Sequence, residues 1–182
     1  MTSSRRTSAA TRLVEAALTL LCADGVGGVS VQRVADAAGV SKGLVHYHFA
    51  DKDALLAACA EALVRDLVSR DELARREATA ATLLDALWRS VASSLADGRR
   101  RAFAALCAES PAGVRDVLVR AVRDRHAAAV AVLTTFESVM GWTPRVPRTT
   151  LAAAYVALVD GLAVDAAVRP DADHRHAFDA FW

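Results

Sequence analysis

The chain has 182 residues, 54% of them hydrophobic, with a net charge of +1 and a mean hydropathy of +0.25. Its long apolar stretches are interrupted by Arg, Asp or Glu before the roughly 18 residues a bilayer span requires, which excludes a membrane protein. Cys22, Cys59 and Cys107 are few, odd in number and widely spaced, which fits reduced core thiols in a cytoplasmic chain rather than a disulfide frame or a zinc site.

Helical periodicity dominates and β-branched alternation is absent, so the expected fold is all-α. Arg5 and Arg6 precede an apolar stretch and imitate a secretory signal, but Arg12 and Glu15 interrupt it. Leu13, Ala17, Leu20 and Leu21 follow helical spacing instead. A first helix is expected from about Thr11 to Asp24-Gly25, with Gly27 and Gly28 in the loop. A second runs from the cap residue Ser30 to Ala38, Gly39 turns the chain, and Ser41 caps a short third helix ending near Tyr47. Asp51 then caps a fourth, whose apolar stripe is Leu56, Cys59, Leu63 and Leu67.

Beyond Arg70 the pattern becomes a bundle. Leu84, Leu87, Val91 and Leu95 mark one helix ending at Asp97-Gly98. Phe103, Leu106 and Cys107 mark a shorter one ending at Ser110-Pro111. A long helix spans about Gly113 to Met140, the segment 141–147 breaks it, and another covers about Thr149 to Val168. Only a short helix is expected after Pro170. The run Arg99-Arg100-Arg101 and the group Arg120, Arg123, Asp124, Arg125 and His126 read as solvated.

The stretch Ser30 to Leu56 carries the functional signal. A helix, a glycine turn, a serine-capped short helix and a supporting helix form a helix-turn-helix unit, whose second helix enters the DNA major groove. Val34, Ala35, Ala38, Val40 and Val45 can pack the two helices together. Ser41, Lys42, Leu44, His46, Tyr47 and His48 are left to face outwards. Within residues 1–52 the bases Arg5, Arg6, Arg12, Arg33, Lys42 and Lys52 outnumber the acids Glu15, Asp24, Asp36 and Asp51. As an arm before the first helix, Arg5 and Arg6 could touch phosphates or the minor groove, or simply be solvated. His46 and His48 diverge by roughly 200° on a helix, so one metal ion cannot easily take both; His174 and His176 share that spacing.

The run Ala37-Ala38-Gly39-Val40-Ser41, followed by Lys42-Gly43, Tyr47-His48-Phe49, Lys52 and Leu55-Leu56, resembles the N-terminal signature of the TetR family over about residues 11–56. That resemblance implies an N-terminal three-helix DNA-binding domain, residues 1–52, and a C-terminal helical effector-binding and dimerisation domain, residues 53–182. It implies that Lys42, Gly43, Leu44 and His46 approach the bases, with Ser41 beside them. Tyr47, His48 and Lys52 would clamp phosphates, and Ser30 would offer its N–H and hydroxyl to another. Position 46 is His where many relatives carry Tyr, so no operator sequence transfers. Phe49 is expected in the core.

The same resemblance implies a homodimer on a palindromic operator of double-stranded DNA, because one short helix touches too few base edges. Ala127 to Ala131 and Ala152 to Gly161 are expected to allow close approach of the partner, with Leu133, Leu151, Leu158 and Leu162 as apolar contacts or as intramolecular core. A pocket for a small effector, apolar or aromatic, would draw on Trp88, Phe103, Cys107, Phe136, Met140, Trp142 and Tyr155. No catalytic motif is present and no cofactor is called for. The competing reading is an all-α small-molecule binding or interaction protein whose N-terminal module does not bind DNA.

Overall fold

The computed structural model describes residues 2–182, and the side chains of residues 9–76 and 78–182. The side chains of Arg5 and Arg6 lie outside the described residues. In chain order the elements are α1 (Thr2–Gly28), α2 (Val31–Ala38), α3 (Lys42–His48), α4 (Lys52–Glu77), α5 (Leu83–Ala96) and α6 (Arg99–Glu109). A 3-10 turn (Ala112–Val114), α7 (Arg115–Met140), α8 (Arg148–Val168) and α9 (His174–Asp179) complete the chain. The fold is all-α, with no strand among the described residues. The helices form two compact units: the chain up to Leu63 with Ala102–Val119, and Val64–Arg101 with Arg120–Trp182.

In the N-terminal unit, Leu13, Ala17, Leu18 and Leu21 form the buried stripe of α1, the spacing of one face of a helix. Gly25, at φ 71° and ψ −169°, breaks the helical path inside α1. Asp51 caps α4 by accepting from the Ala54 N–H at 2.8 Å. Behind it Leu55, Leu56, Cys59 and Leu63 are fully buried, each leucine contributing about 1.5–3 kcal/mol of apolar burial. Burial pushes the Cys59 thiol up to about 12, with Cys22 and Glu15 adding to the shift. This unit also takes in Ala102–Val119, where Phe103, Leu106, Val114 and Leu118 are buried. A tether ties that segment to α4: the Gly113 N–H donates to Asp53 Oδ2 at 3.2 Å. A Cβ at position 113 would sit 2.6 Å from the same oxygen.

The core of the C-terminal unit is built from Leu83, Leu87 and Val91 of α5, Val132, Leu133 and Phe136 of α7, and Tyr155, Val159 and Leu162 of α8. Leu133 and Leu162 therefore belong to the intramolecular core. The C-terminal α9 closes this core with Phe178, whose ring lies 5.4 Å from Trp88. Arg175 holds α9 to α5 through Asp85 at 2.8 Å.

Two expectations about charge are corrected here. Arg99-Arg100-Arg101 is not a solvated loop but the first turn of α6, and Arg100 is only 2% exposed. Arg125 is likewise buried and makes a bidentate pair with Asp160, Nη1 to Oδ2 at 2.8 Å and Nη2 to Oδ1 at 2.5 Å. A third correction concerns α8, whose most apolar 18-residue window has a mean hydropathy of 1.8; its length and composition would suffice to cross a membrane. Its buried face and the Asp160 pair are what a core helix needs.

Candidate nucleic-acid interface

The helix-turn-helix is built by local chemistry. Ser30 adopts an extended backbone, and its Oγ accepts from the Arg33 N–H at 3.2 Å, satisfying one of the orphan donors at the start of α2. Arg33 then donates to the Gly28 carbonyl at 2.8 Å and pairs with Asp24 at 2.5 Å, fixing α2 against the end of α1. Arg12 reaches the Ala38 carbonyl at 3.0 Å from α1. Gly39 ends α2 in the left-handed region, φ 65° and ψ 40°, and its N–H returns to the Ala35 and Asp36 carbonyls. Any side chain there would be strained.

Ser41 opens α3 in the same way, its Oγ accepting from the Leu44 N–H at 3.3 Å. In both capping serines the hydroxyl hydrogen remains to donate elsewhere. Val34, Ala35 and Val45 are buried and bring α2 and α3 together. That packing decides the outward face. Ser41, Lys42, Gly43, His46 and Tyr47 are exposed, while Leu44 and His48 are half-buried. Tyr47 is 56% exposed, with the His48 ring set edge-on to it at 5.1 Å. Phe49 is half-buried and its N–H caps α3 by donating to the Val45 carbonyl at 2.8 Å.

Lys52 sits differently from the others. Its Nζ donates to the Val26 carbonyl at 3.0 Å, tying the first turn of α4 to the end of α1. An ammonium carries three donors, so two remain after that bond.

The family model for the bacterial regulatory proteins of the tetR family matches residues 13–59. A transcriptional regulator of known structure from Rhodococcus sp. Rha1 is 31% identical, over 94% of this chain and 92% of its own, with a TM-score of 0.73. The chain belongs to the TetR family. A TetR transcription regulator from Haloarcula marismortui, 20% identical over 96% of this chain and 95% of that one, shares the fold at a TM-score of 0.75. So does FadR from Bacillus subtilis, solved with stearoyl-CoA, at 15% identity, 94% coverage of each chain and a TM-score of 0.72. No curated protein matches the chain.

Of the seven residues expected around an effector in this TetR-family transcription regulator, Trp88, Phe136, Trp142 and Tyr155 share one aromatic cluster of the C-terminal unit, with Trp142 edge-on to Phe136 at 6.3 Å. Phe103 and Cys107 belong to the N-terminal unit, the other five to the C-terminal unit. Met140 and Trp142 are exposed. Trp88, Phe136 and Tyr155 are packed against the aromatic residues of the C-terminus: Trp182 stacks on Phe136 at 4.4 Å, and Phe181 lies 5.8 Å from Tyr155. Of the seven, Tyr155 lines a cavity within the C-terminal unit, in company that the sequence reading passed over: Asp71, Arg100 and Arg125. One signal was available. Asp160 follows the apolar run 151–159 of α8, and a partly buried carboxylate there calls for a cation.

Proposed function

We propose that this TetR-family regulator is a repressor that binds a palindromic operator as a homodimer in the cytoplasm and is released by a small molecule. The observation that carries the DNA side is the outward face of α3. A seven-residue helix whose single buried side chain is Val45 leaves Ser41, Lys42, Gly43, Leu44 and His46 toward base edges, and Tyr47 and His48 toward flanking phosphates. Ser30 and the remaining donors of Lys52 complete the phosphate contacts. Residues 1–52 form the DNA-binding domain in this reading, and 53–182 the effector-binding and dimerisation domain.

The dimer reading is supported by α8. Its face opposite the core carries Ala153, Ala154, Ala157, Gly161 and Val164, all exposed, and small side chains let a second helix approach closely. A two-fold axis through such a face would present two α3 helices to half-sites about one helical turn apart. Release by effector follows if ligand binding in the C-terminal unit shifts α4, which runs from one unit into the other, and so changes the spacing of the two recognition helices. The FadR neighbour was solved with stearoyl-CoA, which supports an effector domain in this fold without naming the ligand here.

Selection of bound duplexes from a random library tests the reading. Enrichment of an inverted repeat, bound by two protomers, is the expected result. Recovery of no enriched sequence would return the protein to the class of helical small-molecule binders.

A further inference from the structure

Among the helices of the C-terminal unit, one cavity combines polar groups in a way the core does not require. Its walls come from α4 (Leu67, Asp71), α6 (Arg100), α7 (Arg125, Ala129) and α8 (Tyr155), among others. Arg100 is 2% exposed and Tyr155 1% exposed, yet Arg100 Nη2 and the Tyr155 hydroxyl have no hydrogen-bond partner. A buried donor left unmade is costly, and for a charged group more so. Two such donors facing one cavity therefore point to an occupant that accepts hydrogen bonds.

The neighbouring groups narrow its chemistry. Arg125 is already engaged in its bidentate pair with Asp160. Arg100 is used only in part: Nε donates to Ser94 Oγ at 2.6 Å, while Nη2 stands 3.7 Å from Asp71 Oδ1, beyond hydrogen-bond length. Asp71 is itself committed to Ser90, whose hydroxyl donates to Oδ1 at 2.5 Å. One half-used guanidinium beside a single aspartate, Asp71, suits at most one negative charge, and Asp71 would repel a dianion such as phosphate more strongly. Burial, reinforced by Asp71, holds the Tyr155 phenol in its protonated, donating form. The enclosed part of the cavity is about 10 Å³, room for a single oxygen atom, and it opens into a cleft of about 270 Å³ that includes open solvent. That is below the usual range for drug-sized ligands, and the remaining walls are aliphatic.

We propose that this cavity is a carboxylate-binding subsite, in which Arg100 and Tyr155 grip the carboxylate of a small aliphatic acid whose hydrocarbon end lies toward the mouth of the cleft. The proposal rests on the effector-domain reading above and gives that effector a charge. It also replaces a wholly apolar ligand with an amphiphilic one.

The test is calorimetric titration of the full-length protein with sodium butyrate, against butyramide and against sodium chloride and phosphate at matched ionic strength. Tyr155→Phe and Arg100→Met are measured alongside. Butyrate is expected to bind with one site per chain, butyramide at least tenfold more weakly, and Tyr155→Phe is expected to lose about tenfold in butyrate affinity at unchanged melting temperature. Should Arg100→Met fail to fold, Tyr155→Phe carries the test alone, since it removes one oxygen from a ring that stays packed. Absence of butyrate binding, equal binding of butyramide or phosphate, or equal affinity in Tyr155→Phe would overturn the subsite and leave the two donors as hosts of a structural water. The titration contains no DNA, so its failure leaves operator binding standing, and a failed operator selection leaves the subsite standing.

Discussion

Tyr47 and Lys52 separate two roles that a motif lists side by side. Tyr47 is 56% exposed, with its ring against the edge of His48, so Tyr47→Ala is expected to weaken operator binding by about 1 kcal/mol while lowering the thermal midpoint of the free protein less than Lys52→Ala does. Lys52 bonds the Val26 carbonyl, so Lys52→Ala is expected to lower both affinity and stability, each by about 1 kcal/mol. Calorimetry of the free protein beside anisotropy titration of the operator distinguishes the two. A third residue answers to pH. The Cys59 thiol is raised to about 12 by burial, so the folded chain holds that proton more tightly than the unfolded one. Its contribution to stability is complete below about pH 9 and is lost as pH rises toward 12. Native Cys59 is accordingly expected to resist alkylation at pH 8, read by mass spectrometry of trapped thiols. A rate equal to that of the unfolded chain would contradict the burial.

At the scale of elements, the helix-turn-helix rests on a few local devices whose removal has a calculable cost. Ser30→Ala and Ser41→Ala each delete a capping acceptor, at about 1 kcal/mol. Gly39→Ala forces a Cβ into the left-handed region, at about 1–2 kcal/mol, and is expected to lower the urea midpoint without changing the denaturant slope. These devices were legible because each is encoded within four residues: a serine before an amphipathic run, a glycine after it, an aspartate before the next. The end of α5 was legible from Asp97-Gly98, and the bounds of α8 from Pro147 before it and Pro170 after it. The content of Arg99-Arg100-Arg101 was not. A run of three arginines reads as solvated, and only the packing of Asp71, Ser90 and Ser94 around Arg100 makes burial of the middle one tolerable. Nor could spacing foretell that Trp88, Phe136 and Tyr155 would meet Phe178, Trp182 and Phe181, the first pair 90 positions apart in the chain. The partnership of Asp53 with Gly113 is of the same long-range kind.

For the whole molecule, the pair Arg125–Asp160 is the sharpest test of how the C-terminal unit is held. Removing Asp160 strands a cation that is 6% exposed, so Asp160→Ala is expected to destabilise by about 3 kcal/mol, whereas the double change Arg125→Met with Asp160→Leu is expected to recover most of that loss. Urea titration of the three proteins reads the difference directly. The proposed dimer is tested on the exposed face of α8, where Ala157→Glu is expected to yield monomers by light scattering. Operator affinity should fall with it, since each protomer then reads its half-site alone.

The central claim is that the outward face of α3 reads DNA. The most direct measurement is the affinity of the parent and of Tyr47→Ala for a selected inverted repeat and for an unrelated duplex of equal length, from 50 to 300 mM salt. The account predicts tight, sequence-dependent binding by the parent with a steep loss of affinity as salt rises, and a uniform weakening of roughly fivefold in the variant, the equivalent of about 1 kcal/mol. Equal affinity of the parent for the two duplexes, or a variant indistinguishable from it on the selected repeat, would contradict the account.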